Sequence, residues 1–180
     1  MVTMTMFSLA AFLIAAAVQQ PPHRPDVNAQ REAMKKLNFL VGQWSGEGRM
    51  LRPGGEWMDI TQTEHAEYKL DGLLLMIEGV GRAKGDGQPV LGAYGIVSYD
   101  DATGKYYMRA FNEGQWLQTE TDLSSNDKGL TWGFTIGDIR TKSTMRLTDS
   151  GEWTENHEIS IGTQPPRKFM ELTVKPVRAK

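Results

Sequence analysis

Two polar side chains fall on the expected apolar face of a strand in residues 57–70. Apolar residues recur there at every second position, the spacing of a strand with one buried face. The inward set is predicted to be Met58, Ile60, Gln62, Glu64, Ala66, Tyr68 and Leu70. Because buried polar groups cost free energy unless they are paired, Gln62 and Glu64 should either satisfy each other or orient a ligand.

A second stretch, residues 153–161, adds a carboxylate and an imidazole to the same interior. Alternation groups Glu155 and His157 with the apolar residues Trp153, Ile159 and Ile161. A carboxyl group near an imidazole can hold a ligand through hydrogen bonds, or it can move a proton. Glu64 and His157 acting as acid and base is therefore an alternative to simple binding, and no catalytic residue is assigned.

Aromatic residues complete the candidate ligand site. Trp132 and Phe134 lie in a predicted strand and would form part of its wall. Arg109 alternates with Tyr107 and Phe111, which places its cation either among aromatic rings inside the fold or on the outer surface. The candidate cavity residues are Gln62, Glu64, Tyr68, Arg109, Trp132, Phe134, Glu155 and His157.

The sequence does not predict a metal site. Of the three histidines, His23 lies in a proline-rich stretch and His65 on the polar side of its strand, which leaves His157 as the inward one. No spacing of ligands supports zinc, and the segment DDATGK is better explained as a hairpin turn than as a calcium loop. Cysteine is absent, which excludes a disulfide framework and a thiolate site.

Composition indicates one ordinary globular domain. The chain has 180 residues, 39% of them hydrophobic, and a formal net charge of -2. A chain of this length can bury one core. Its charge gives no electrostatic reason to expect nucleic acid as a partner.

The first residues have the features of an export signal. An apolar run from Phe7 to Ala17 ends in the small-residue pattern Ala15-x-Ala17, so residues 1–17 are predicted to be a signal peptide. The mature protein would be periplasmic or secreted, and a membrane would be a partner only if the leader stayed uncleaved as an anchor. Residues 18–28 are then a linker and residues 29–178 the folded domain.

The elements that must position these side chains are one helix and about ten strands. A short amphipathic helix is predicted over 28–40, with Asn28 as its N-cap. Asp71-Gly72 and Gly137-Asp138 are two-residue hairpin turns that would place Glu64 opposite Gly79 and Ile136 opposite Ile139. The remaining segments alternate and are separated by short turns, which predicts an all-β antiparallel barrel of the up-and-down kind.

The stretch FLVGQWSGEG should close one end of that barrel. Trp44 would act as an end plug, while Gly42, Gly46 and Gly48 would permit sharp bending and close backbone approach.

Several motifs resemble a known family. LNFLVGQWSGEG, YKLDGLLLMIEGVG, YGIVSYD and WTENHEIS look like the uncharacterised DUF1579 family, whose likeness covers Leu37 to Val174 and implies a calycin-like or lipocalin-like barrel of unknown role. Residues 42–48 are also similar to nitrobindin, a ten-stranded haem barrel. Nitrobindin-type proteins bind iron through a histidine late in the chain, and the last strand here, KFMELTV, has none. No cofactor is predicted, and haem is the alternative.

Three functions are compatible with these features. The first is an exported barrel that binds a small, partly apolar molecule, with Gly79 opposite Glu64 leaving room for it. The second is the acid–base enzyme. The third is an interaction module or homodimer, because the hairpin register turns Leu74, Met76 and Val80 outward.

Overall fold

A short helix precedes the strands in the computed structural model, which describes residues 23–112 and 114–177. Helix α1 spans Val27–Met34 and continues as a 3-10 helix over Lys35–Leu40. The helical segment thus begins one residue earlier than predicted and is not α-helical throughout. Asp26, not Asn28, is the N-cap, because its side chain accepts the N–H groups of Asn28 and Ala29.

Eleven strands follow within the described residues. They are β1 (Gly42–Leu51), β2 (Trp57–Lys69), β3 (Leu74–Ala83), β4 (Pro89–Asp100), β5 (Lys105–Asn112), β6 (Gln115–Leu123), β7 (Gly129–Trp132), β8 (Thr135–Ile136), β9 (Ile139–Leu147), β10 (Trp153–Ile161) and β11 (Arg167–Pro176). Each pairs antiparallel with its neighbours, and β10 pairs with both β11 and β9, which closes the sheet. Because β7 and β8 both pair with β9, they act as one interrupted strand, and the predicted all-β barrel of ten strands is confirmed.

The two predicted hairpin registers are also confirmed. Glu64 lies opposite Gly79, and Ile136 lies opposite Ile139. In the first turn Asp71 and Gly72 have φ angles of 55° and 85°, and the N–H of Leu73 donates to the carbonyl of Leu70, as a type I′ turn requires. Register decides which side chains face inward, so these turns place the polar set inside the barrel.

Leu70 is a correction to the predicted inward face. Its φ is 48° and its side chain is 69% exposed. The chain has already begun to turn at this residue, so the period-two alternation of β2 ends at Lys69.

The helix closes one end of the barrel. Met34, Leu37 and Leu40 are fully buried there. Trp44 is also buried, and its indole Nε1 donates to the carbonyl of Leu40 over 2.8 Å, while its ring meets Trp153 edge-on at 5.5 Å. The carbonyls at a helix end lack partners within the helix, so this bond also satisfies one of them.

Close approach between β1 and β11 explains two of the glycines beside Trp44. A Cβ atom on Gly46 would lie 2.1 Å from the carbonyl oxygen of Thr173, and one on Gly48 would lie 2.7 Å from that of Glu171. Gly42 has a φ of 136°, a conformation that L side chains rarely adopt. Any side chain at these positions would therefore push the two strands apart or strain the backbone.

The outward face of β3 is less exposed than expected. Met76 is 7% exposed, and Leu74 and Val80 are half-buried. Met76 stands between its cross-strand partners Glu67 and Ile96, whose side chains flank it on both sides. A homodimer through this face stays a prediction, with little exposed apolar surface to support it.

The predicted leader and residues 18–22 of the predicted linker lie outside the described residues. Within the described part, the linker ends earlier than predicted, because Val27 and Asn28 belong to α1. The helices in residues 23–112 and 114–177 are too short or too polar to cross a membrane.

Candidate functional site

A cavity of about 270 Å³ occupies the half of the barrel away from the helix. Phe111, Ile136 and Ile139 line it and are also 38%, 48% and 40% exposed, so the cavity opens to solvent at that end. Its wall is mostly apolar and aromatic, and it includes Ile77, Leu91, Tyr94, Met108, Leu117, Trp132, Phe134, Met145, Phe169 and Met170. Polar side chains are concentrated at its inner part, on β2, β9 and β10.

One polar pair comes from β2. Gln62 and Glu64 are 1% and 7% exposed, and the Nε2 of Gln62 donates to Oε1 of Glu64 over 2.7 Å. They point to the same side because they are two residues apart on a strand. The carbonyl oxygen of Gln62, Oε1, is buried and has no hydrogen-bond partner among the described residues.

The second polar group is a chain of hydrogen bonds that crosses from β9 to β10. Ser143 Oγ lies 2.8 Å from Nδ1 of His157, and Nε2 of His157 lies 2.8 Å from Oε2 of Glu155. The other oxygen of Glu155 accepts the indole N–H of Trp153 over 2.8 Å. Both ring nitrogens of His157 are therefore engaged, and its ring also packs near Trp132 and Phe169.

Burial changes the acidity of Glu64. Loss of hydration raises its pKa to about 9, and the nearby carboxylate of Glu155 contributes in the same direction, while the hydrogen bond from Gln62 opposes them. At neutral pH the Glu64 side chain is consequently a neutral acid. It can donate a hydrogen bond as well as accept one.

Gly79 does not leave free space for a ligand as expected. A Cβ atom there would lie 2.7 Å from Oε2 and 2.8 Å from Oε1 of Glu64. The carboxyl group of Glu64 itself fills that space, because the cross-strand register sets the two residues directly opposite. Gly79 thus makes room for the buried acid.

The structure brings six of the eight predicted cavity residues together at the cavity, namely Gln62, Glu64, Trp132, Phe134, Glu155 and His157. Tyr68 faces inward but lies at the helix end, where its hydroxyl donates to the carbonyl of Met34 over 2.6 Å. Arg109 is exposed on the outer face and donates to Gln118. The period-two alternation of β2 predicts that Tyr68 faces inward, but it does not define how far along the barrel axis the residue lies. Arg109 occupies an outward position of β5.

Sequence reasoning missed several members of the site. Ser143 lies opposite Trp132 on β7 and opposite His157 on β10, and it was not predicted as a partner for His157. Tyr94, Met108 and Phe169 form part of the wall. The sequence indicates the strands that carry these residues, but which of their side chains face the cavity depends on how the barrel closes.

The other two histidines are outside the site. His23 contacts Asp101 over 2.8 Å, and His65 is on the outward side of β2 opposite Glu78. In the part of the chain that the structure describes, no group of three or more His, Asp and Glu side chains could hold a metal ion.

This arrangement can accept and donate hydrogen bonds to a ligand that enters from the open end. The proposed acid–base pair of Glu64 and His157 is not a direct contact, because the hydrogen bonds of the imidazole go to Ser143 and Glu155. The imidazole is instead held in a fixed orientation by a hydroxyl and a carboxylate.

Comparison with solved structures agrees with the barrel. The crystal structure of Rv2717c from M. tuberculosis matches with a TM-score of 0.66 at 15% identity, over 81% of this chain and 98% of that one. The S-type phycobiliprotein lyase CPES from Guillardia theta matches with a TM-score of 0.59 at 8% identity, over 82% of this chain and 94% of that one. The fold is therefore that of the calycin-like barrels. No family model and no curated protein matches the sequence.

Proposed function

We propose that this protein is a carrier or receptor that binds a small, partly apolar molecule inside its barrel. The observation that carries the proposal is the open cavity, which has an apolar and aromatic wall and a small set of convergent polar groups at its inner part. Ligand sites of proteins commonly combine these features, and barrels of this size can hold one small ligand.

The size of the cavity limits the ligand. The cavity volume is about 270 Å³. A compact molecule with one ring, or one end of a longer molecule, fits this volume. The rest of a longer molecule would lie against the exposed side chains of Phe111, Ile136 and Ile139 at the open end.

Membership of the DUF1579 family and export to the periplasm or the medium belong to the same proposal. The motifs of residues 37–174 and the leader of residues 1–17 support them. One neighbour by fold is named a phycobiliprotein lyase, but at 8% identity the likeness extends to the fold alone.

The test is native mass spectrometry of the protein purified from its own cells. A stoichiometric adduct of small mass is expected. Ala110, which lines the cavity, offers a matched pair of variants. Ala110→Phe should fill the space and lose the adduct, whereas Ala102→Phe, in an exposed turn at the helix end, should keep it. An adduct that survives Ala110→Phe in a folded protein would place the ligand elsewhere.

A further inference from the structure

The lining of the cavity has acidic side chains but no lysine or arginine among the described residues. The carboxyl groups are those of Glu64 and Glu155. The exposed cation of Arg109 is on the other face of the sheet, where it is bonded to Gln118. A ligand carboxylate would therefore meet no fixed positive charge inside the barrel and would lie near Glu155.

The free hydrogen-bonding atoms at the inner part of the cavity become acceptors once Glu64 is ionised. Because Oε1 of Glu64 accepts from Gln62, the proton of the neutral acid lies on Oε2, which becomes an acceptor when Glu64 ionises. Oε1 of Gln62 is buried and has no partner among the described residues. The two nitrogens of His157 are already engaged. With Glu64 ionised, these two oxygens match a group that donates hydrogen bonds or carries positive charge.

Aromatic rings surround these acceptors. Five aromatic residues line the cavity, namely Tyr94, Phe111, Trp132, Phe134 and Phe169. The faces of such rings attract ammonium groups, and the attraction is larger where water is excluded. Carboxyl groups and aromatic rings in one cavity are the combination that recognises organic ammonium ions.

We propose that the cavity selects a small organic cation, an ammonium group on a compact aromatic or aliphatic body, with the nitrogen held beside Glu64 and Glu155. This proposal rests on the proposed function, since it specifies the ligand class of the same cavity. The apolar body would contact the wall towards the open end.

Binding of a cation must also displace a proton. Glu64 is neutral in the free protein because burial and Glu155 raise its pKa to about 9. The titratable groups that line the cavity with it are Glu155 and His157 on β10 and Tyr94 on β4, while Ile77 and Gly79 on the neighbouring β3 carry no charge. A cation favours ionised Glu64, so a rise in pH from 7 to 9 should strengthen the binding of a permanently charged cation.

Three probes of matched shape test the charge preference. They are trimethyl(2-phenylethyl)ammonium, its neutral isostere (3,3-dimethylbutyl)benzene, and the anion 3-phenylpropanoate. Calorimetric titration is made at pH 7 and pH 9 with the full folded domain. At pH 9 the cation should bind at least tenfold more tightly than the neutral isostere, and the anion more weakly than both. The ratio of cation to neutral affinity should increase at least tenfold between pH 7 and pH 9.

The Glu64→Gln variant tests whether Glu64 contributes to cation binding. In this variant the ratio of cation to neutral affinity should no longer increase with pH. Glu78→Gln, the same change at an exposed position of β3, should keep the increase. If Glu64→Gln does not fold, the comparison of isosteres with the unaltered protein decides alone.

The outcomes separate the two proposals. Equal binding of the cation and the neutral isostere, or preferred binding of the anion, would overturn the cation proposal and leave a binding cavity. Absence of binding for all three probes, together with no adduct in native mass spectrometry, would overturn both. If the ratio of cation to neutral affinity still increased with pH in a folded Glu64→Gln variant, Glu64 would not be part of the cation site.

Discussion

Replacing Glu64 by Gln should make folding stability less sensitive to pH. The side chain is 7% exposed, and burial raises its pKa to about 9 from an ordinary value of 4.5. Between these two values the folded protein keeps a proton on Glu64 that the unfolded chain has released. Unfolding therefore releases a proton, and the stability of the unaltered protein falls as the pH rises through this range. The glutamine side chain of the variant cannot titrate, so the variant avoids this loss.

The magnitude follows from the linkage relation. One proton released on unfolding changes the free energy of unfolding by at most about 1.4 kcal/mol per pH unit. Between about pH 5 and about pH 7 the variant should thus gain up to about 3 kcal/mol relative to the unaltered protein. At about pH 4 both proteins carry a neutral side chain of similar shape, and their stabilities should differ by less than about 1 kcal/mol.

The assay is urea unfolding followed by tryptophan fluorescence at several pH values. The midpoint difference between variant and unaltered protein is plotted against pH, and Glu78→Gln on the exposed side of β3 serves as the control for the chemical change alone. A difference that becomes less favourable to the variant as the pH rises would refute the reasoning. It would mean that Glu64 is ionised and paired in the folded protein, and that its carboxylate contributes stability.

Three further predictions concern other parts of the molecule. Gly46→Ala should destabilise the barrel by more than about 3 kcal/mol because of the close carbonyl of Thr173, whereas Gly92→Ala, with open space around it, should change the urea midpoint little. Haem titration should give no sharp Soret shift at one equivalent, because both nitrogens of His157 are engaged; a shift that His157→Ala abolishes would contradict this. Intact-mass analysis of exported protein should find Val18 as the first residue, and a membrane-bound species that retains Met1 would be contrary to it.

The sequence alone determined the side of each strand that faces inward in the parts that carry the site. Period-two alternation and two turns with glycine placed Gln62, Glu64, Glu155 and His157 inside, and the same turns gave the correct register of β2 with β3 and of β8 with β9. This information is local. It depends on the pleat of a strand and on the few residues that can adopt positive φ, which the sequence shows directly.

Only the tertiary structure determined how far along the barrel axis each side chain lies and which side chains it contacts. Tyr68 shares the inward face with Glu64 but lies under the helix, and Arg109 is on the outside. Ser143 and His157 lie opposite each other in the hairpin of β9 and β10, and the carboxyl group of Glu64 occupies the space above Gly79. Alternation defines a face of a strand but not a position along the barrel axis, and contacts across strands follow from how the sheet closes.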